Sequence, residues 1–107
     1  MDEKHYLELA HRAFARIQDA FDAVDADDAD IDSAGDVLTI TFRDGHRSVV
    51  NTQRPARQIW LAGGDRAWHF SWDAKAERWL DDKGSGAELF ATLAEIARAR
   101  AVELAFD

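Results

Sequence analysis

Cysteine is absent from this chain of 107 residues. That removes disulfide scaffolds, thiolate metal sites and cysteine nucleophiles at once. Proline occurs once and glycine six times, too sparsely for a collagen-like or low-complexity segment. With 47% hydrophobic and 32% charged residues, the composition is that of a folded domain rather than a disordered tail. No apolar run approaches the roughly 20 residues of a membrane span. Met1-Asp2-Glu3-Lys4 leads straight into a helical pattern, unlike a signal or transit sequence. The expectation is a cytoplasmic protein without membrane association, folded as a single domain over residues 1–107.

Positive charge is also scarce, with 13 Lys and Arg against 21 Asp and Glu, a formal net charge of −8. The deficit is local. Asp19, Asp22, Asp25, Asp27, Asp28, Asp30 and Asp32 fall in one stretch that holds no Lys or Arg, which leaves the rest of the chain nearly neutral. Such a patch repels nucleic acid and anionic lipid and attracts cations and basic protein surfaces. Nucleic acid is therefore not an expected partner.

Apolar residues Tyr6, Leu9, Ala10, Ala13, Phe14, Ile17, Phe21 and Val24 recur at spacings of three and four, which predicts an amphipathic helix over 4–24. Its last turns then carry Asp19, Asp22 and Asp25, at the negative end of the helix macrodipole, where carboxylates cost a few tenths of a kcal/mol each. A sequence shaped for stability alone would place Lys or Arg there. A polar connection over 26–36 follows, with room for a short edge strand around Ile31.

Val37 to Phe42 alternates and is β-branched, which predicts a strand. Asp44-Gly45 predicts a two-residue type I′ turn into a returning strand from His46 to Asn51. Thr52 to Ala56 reads as a loop, and further strands are expected at Arg57–Ala62, Arg66–Trp72 and Glu77–Leu80. A second helix is expected over 87–101. The order is helix, about five or six consecutive strands, helix. This predicts an α+β fold: a two-layer sandwich with an antiparallel sheet and both terminal helices packed on one face.

Alternation then sends Ile59 and Leu61 toward the helices and Gln58 and Trp60 outward. By the same rule Trp68 and Phe70 face inward and His69 outward, with three of the four Trp residues expected in the core. A Trp on a solvated sheet face is either shielded by long neighbours or a docking hot spot.

Asp oxygens suit hard cations such as Ca²⁺, Mg²⁺, Mn²⁺ and iron. Asp28-Ala29-Asp30-Ile31-Asp32 imitates the start of an EF-hand loop, but Ser33 stands where Gly is required and Thr39 where a bidentate Glu is required. What remains is a set of weak, partly hydrated cation sites or a solvated acidic face. Glu8-x-x-His11 has the spacing of a di-iron motif, which needs a second copy and four helices. There is no Walker loop, G-x-G-x-x-G, H-E-x-x-H or G-x-S-x-G. No catalytic residue is assigned, and the protein is not expected to be an enzyme.

The run Asn51-Thr52-Gln53-Arg54-Pro55-Ala56-Arg57-Gln58-Ile59-Trp60-Leu61 resembles the N-x-Q-x-P-x-x-Q-I-W-L signature of frataxins. Val37 to Phe42, Trp68-His69-Phe70, Trp79 and the acidic first helix fall at similar places, and the short N-terminus resembles the family's bacterial branch. The resemblance implies weak binding of Fe²⁺ and Fe³⁺, with other divalent cations as alternatives, along an acidic ridge comprising Asp19, Asp22, Asp25, Asp27, Asp28, Asp30 and Asp32. It implies a partner surface around Asn51, Gln53, Gln58 and Trp60. The implied partners are the cysteine desulfurase and the scaffold protein of iron–sulfur cluster assembly, met by a monomer that iron could drive into oligomers. The expected function is an iron-dependent regulator of that complex or an iron donor to it. The alternatives are an iron oxidase or storage protein, with weak ferroxidase activity, and a metal-independent acidic interaction domain.

Overall fold

The computed structural model describes residues 1–106; the last residue of the expected domain, Asp107, lies outside them. Helix α1 spans Glu3–Asp22, strands β1 to β6 span Ala29–Ala34, Val37–Phe42, Arg47–Gln53, Gln58–Gly63, Arg66–Asp73 and Arg78–Asp81, and helix α2 spans Leu89–Arg98. The six strands form one antiparallel sheet in sequence order. The α+β sandwich expected from the pattern of periods is the observed fold.

Each helix begins on a side-chain cap. The Asp2 carboxylate accepts from the His5 N–H at 2.7 Å and opens α1. Glu88 does the same for α2, accepting from the Phe90 and Ala91 N–H groups at 2.9 and 3.0 Å. The apolar stripe of α1 (Tyr6, Ala10, Ala13, Phe14, Ile17, Phe21) meets Leu89, Leu93 and Ala97 of α2 and the inward residues of the sheet in one core. Those inward residues are Leu38, Ile40 and Phe42 on β2, Val50 on β3, Ile59 and Leu61 on β4, Trp68 and Phe70 on β5 and Trp79 on β6. Burying each of the larger ones contributes about 1.5–3 kcal/mol. Trp79 packs edge-on against both Tyr6 and Trp72, at ring separations of 6.1 and 5.5 Å.

Four details depart from the sequence reading. Helix α1 stops at Asp22, with Ala23 as its cap, so Asp25 lies in the connection rather than in the helix. There its carboxylate accepts from the Asp27 N–H at 2.9 Å, a local turn that competes with helical propagation. The edge strand expected around Ile31, by contrast, is present and six residues long. The β2–β3 turn holds three residues, not two: Gly45 N–H donates to Phe42 C=O, the Phe42 N–H donates to His46 C=O, and only Gly45 takes a positive φ, of 87°. Type I′ would need Asp44 left-handed as well, a steric cost avoided by adding a residue to the turn. Trp72 is half-buried rather than core: it pairs with Trp79 of the edge strand β6 and faces a groove that opens to solvent.

Strand β3 also runs on through Thr52 and Gln53, residues expected in a loop. The cause is Tyr6. Its buried hydroxyl accepts from the Gln53 N–H at 3.2 Å and donates to the Gln58 C=O, so the first helix ties down both strands where they enter the Arg54–Arg57 turn.

Candidate functional site

The seven aspartates fall into two groups that face different ways. Asp19 and Asp22 are exposed on α1, in a last turn that contains no basic residue. Asp25 and Asp27 are exposed in the connection that follows. Asp30 and Asp32 belong to β1, where Ala29 and Ile31 pack into the core. Alternation therefore turns Asp30 and Asp32 to the opposite side, onto the open face of the sheet. Asp28 is half-buried, and its carboxylate meets the Arg43 guanidinium of the β2–β3 turn at 2.6 Å.

Among the described residues Asp28 is the one member of the seven with a basic side chain within 4.0 Å. The other six leave their negative charge uncompensated over a short length of chain. Among the described residues, no three His, Cys, Asp or Glu side chains converge as a metal site. The donors are hard oxygens on separate, solvated side chains. They suit a hydrated cation held by one or two carboxylates at a time, with fast exchange, rather than a caged resident ion.

The second region is the open sheet face over β3, β4 and β5. Asn51 stands directly across from Trp60, and Gln53 across from Gln58. The four residues expected to meet a partner are thus brought onto two adjacent strands, all on the side away from the helices. Trp60 is fixed in place. Its indole stacks on the imidazole of His69, its neighbour across the next strand pair, at 4.1 Å with the planes 15° apart. The indole N–H donates to the Gln58 Oε1 at 2.8 Å. The Gln58 amide in turn donates to the Ser71 hydroxyl at 3.1 Å and to the Asp82 carboxylate at 2.9 Å. Asp82 also lies 3.9 Å from the His69 Nδ1. Trp60, Gln58, Asp82 and His69 so form a closed ring of contacts. A large aromatic side chain held this way has little rotamer freedom left to lose on binding, which favours a docking role.

Ser71 and Asp82 escaped the sequence reading, and so did the third feature, an ion cluster at the β1–β2 turn. There Asp36 accepts from the Thr52 hydroxyl at 3.2 Å and lies 3.4 Å from Arg54 and 3.6 Å from His11. Desolvation pushes the Asp36 carboxyl up, but the hydrogen bonds from Thr52 and Arg54 and the charge of Arg54 outweigh it and leave the group below its usual range. The cluster braces the turn beside Asn51. A signal for Asp82 did exist: once Gln58 is known to face outward, its amide needs partners, and a carboxylate just past the end of β6, two strands away, can supply one.

Comparison with known proteins bears on the chain as a whole. The family description "Frataxin-like domain" matches residues 1–102. The iron-sulfur cluster assembly protein CyaY of Variovorax paradoxus is 38% identical over 104 residues, covering 94% of this chain and 92% of that one. The protein of the same name from Delftia acidovorans is 36% identical over 100 residues, covering 91% and 88%. Among solved structures, the frataxin from Psychromonas ingrahamii superposes with a TM-score of 0.87 at 26% identity, over 100% of this chain and 99% of that one.

Proposed function

The chain belongs to the frataxin family, and from that premise we propose that it serves iron–sulfur cluster assembly, as an iron-dependent regulator of the cysteine desulfurase–scaffold complex or as an iron donor to it. The curated relatives carry iron–sulfur cluster assembly in their names. The observation that supports the finer reading is a run of aspartates between Asp19 and Asp32 of which all but Asp28 are exposed and without basic partners among the described residues, on a molecule that also carries a rigid Trp60 platform.

The two regions divide the work. Carboxylates at the end of α1 and in the following connection hold hydrated Fe²⁺ or Fe³⁺ loosely enough to give it up. The same negative charge draws a basic desulfurase surface, and Trp60 with Asn51, Gln53 and Gln58 supplies the shape-specific contact. Asp30 and Asp32, on the sheet face, belong with the docking surface; Asp19, Asp22, Asp25 and Asp27 belong with iron. The protein acts as a cytoplasmic monomer in this reading.

Desulfurase turnover in the presence of scaffold, with and without added Fe²⁺, tests the proposal. The native protein is expected to change the rate in an iron-dependent way. A variant carrying Asp19→Asn, Asp22→Asn and Asp25→Asn is expected to bind the complex yet lose that iron dependence. An iron response as strong in the variant as in the native protein defeats the assignment of iron to this segment.

A further inference from the structure

A groove of about 590 Å³ lies on the helix side of the molecule, opposite the open sheet face that carries Trp60. Its floor is aromatic: Trp72 and Trp79 from the β5–β6 hairpin, Phe90 at the start of α2 and Phe106 from the C-terminal segment. Phe90 and Phe106 pack against each other at 5.0 Å, while Trp72 keeps part of its ring in solvent. The volume falls within the range of small-molecule sites, which are mostly apolar with a few placed polar groups.

The charged side chains that line the groove are Arg12, Arg16 and Arg78, with Glu77 and Glu88. Arg12 and Arg16, one helical turn apart on α1, line one wall. The Arg16 guanidinium is held at the groove by the Phe90 ring, 4.1 Å from its centroid. Among the described residues no carboxylate lies within 4.0 Å of either guanidinium. Two acids also line the groove. Glu88 has both carboxylate oxygens engaged by the N-terminus of α2, and Glu77 is an exposed residue of the β5–β6 turn. On a chain of net charge −8, two neighbouring arginines that have no acidic partner among the described residues, beside an aromatic floor, are complementary to one kind of guest.

The geometry points to a binding site for a small aromatic anion, a flat ring joined to a carboxylate, sulfonate or phosphate group. The ring lies against the exposed part of Trp72, and the anionic group sits between Arg12 and Arg16. Guanidinium forks suit planar or tetrahedral oxyanions, and stacking on an indole tolerates many ring types, so the site selects a chemical class rather than one compound.

The test uses 8-anilinonaphthalene-1-sulfonate as the aromatic anion and N-phenyl-1-naphthylamine as its neutral counterpart, titrated into the full chain and followed by fluorescence. The site is read from the indole N–H signals of Trp72 and Trp60 by NMR. Saturable one-to-one binding of the sulfonate is expected, with the Trp72 signal moving and the Trp60 signal still. The neutral compound is expected to bind about tenfold more weakly or worse, and Arg12→Gln with Arg16→Gln to weaken the sulfonate by about tenfold while leaving the neutral compound unchanged. Arg12→Gln alone, which disturbs no contact with Phe90, is expected to show part of the same loss. Equal affinity for the two compounds, full sulfonate affinity in the double variant, or movement of Trp60 in place of Trp72 overturns the proposal.

Discussion

The acidic segment and the Trp60 platform solve opposite problems. Between Asp19 and Asp32 there is much charge and little fixed geometry: six of the seven carboxylates are solvated and, among the described residues, free of basic neighbours. Around Trp60 there is little charge and much fixed geometry, with the indole held by a stack, a hydrogen bond and a second tier of contacts through Gln58. A loosely held cation needs the first arrangement, because convergence of several carboxylates would slow its release. A specific protein contact needs the second, because ordering a mobile Trp on binding costs affinity.

If that contrast is right, Trp60→Ala has the largest effect on docking. It is expected to cost 2 kcal/mol or more of binding to the desulfurase–scaffold complex, roughly a 30-fold loss of affinity. Because Trp60 lies on the open face outside the core cluster, the melting temperature is expected to move little. Isothermal titration and thermal melts measure the two. A large fall in melting temperature with unchanged affinity would make Trp60 a structural residue.

Tyr6→Phe comes next. It leaves the ring packing with Trp79 in place but strands the Gln53 N–H and Gln58 C=O at the start of the platform. A stability loss of about 1–3 kcal/mol by urea denaturation is expected, with a weaker partner interaction as a consequence. Unchanged stability would show that the hydroxyl does not anchor the β3–β4 turn.

Asp19→Lys with Asp22→Lys works in the other direction. Each replacement puts a cation at the C-terminal end of α1 and is expected to raise stability by about 0.3–1 kcal/mol while reducing iron binding. A destabilised double variant would remove the argument that these carboxylates are kept at a cost to the fold. Docking that uses the acidic segment should also weaken as salt rises, since exposed charges are screened over about 10 Å at 0.1 M. An affinity independent of salt would leave Trp60 to act alone.

The smallest effect concerns pH. The folded-state pKa of Asp36 lies below its unfolded value of 3.8. It therefore contributes stability above that value, and the contribution is lost as pH falls through the folded pKa. Acid unfolding of Asp36→Asn is expected to show a shallower decline below pH 4 than that of the native protein. Identical acid limbs would assign the decline to other carboxylates.

Much of this was legible from periodicity alone. The stripe from Tyr6 to Phe21 and the alternation in Val37 to Phe42 and Gln58 to Leu61 fixed the two layers and put Trp60 outside. What periodicity could not supply was register. Trp60 faces His69 because the β4–β5 turn is only Gly64 and Asp65, which pairs Gly63 with Arg66 and every residue behind them in step. The hydroxyl of Tyr6, reaching a strand 47 residues away, left no local trace in the sequence. Nor did the split of the aspartates. A charge run reads as one patch along the chain, yet β1 begins within it, and a period of two sends Asp30 and Asp32 to the face opposite α1.

Anaerobic titration of Fe²⁺, followed by backbone amide and indole NMR shifts, puts the division between the two regions to trial. Shifts and line broadening confined to the segment from Asp19 to Asp32, strongest at its helix and connection, with the Trp60 indole and His69 undisturbed, are the predicted result. Perturbation centred on Trp60 and His69, or scattered over the surface with no focus in that segment, would contradict it.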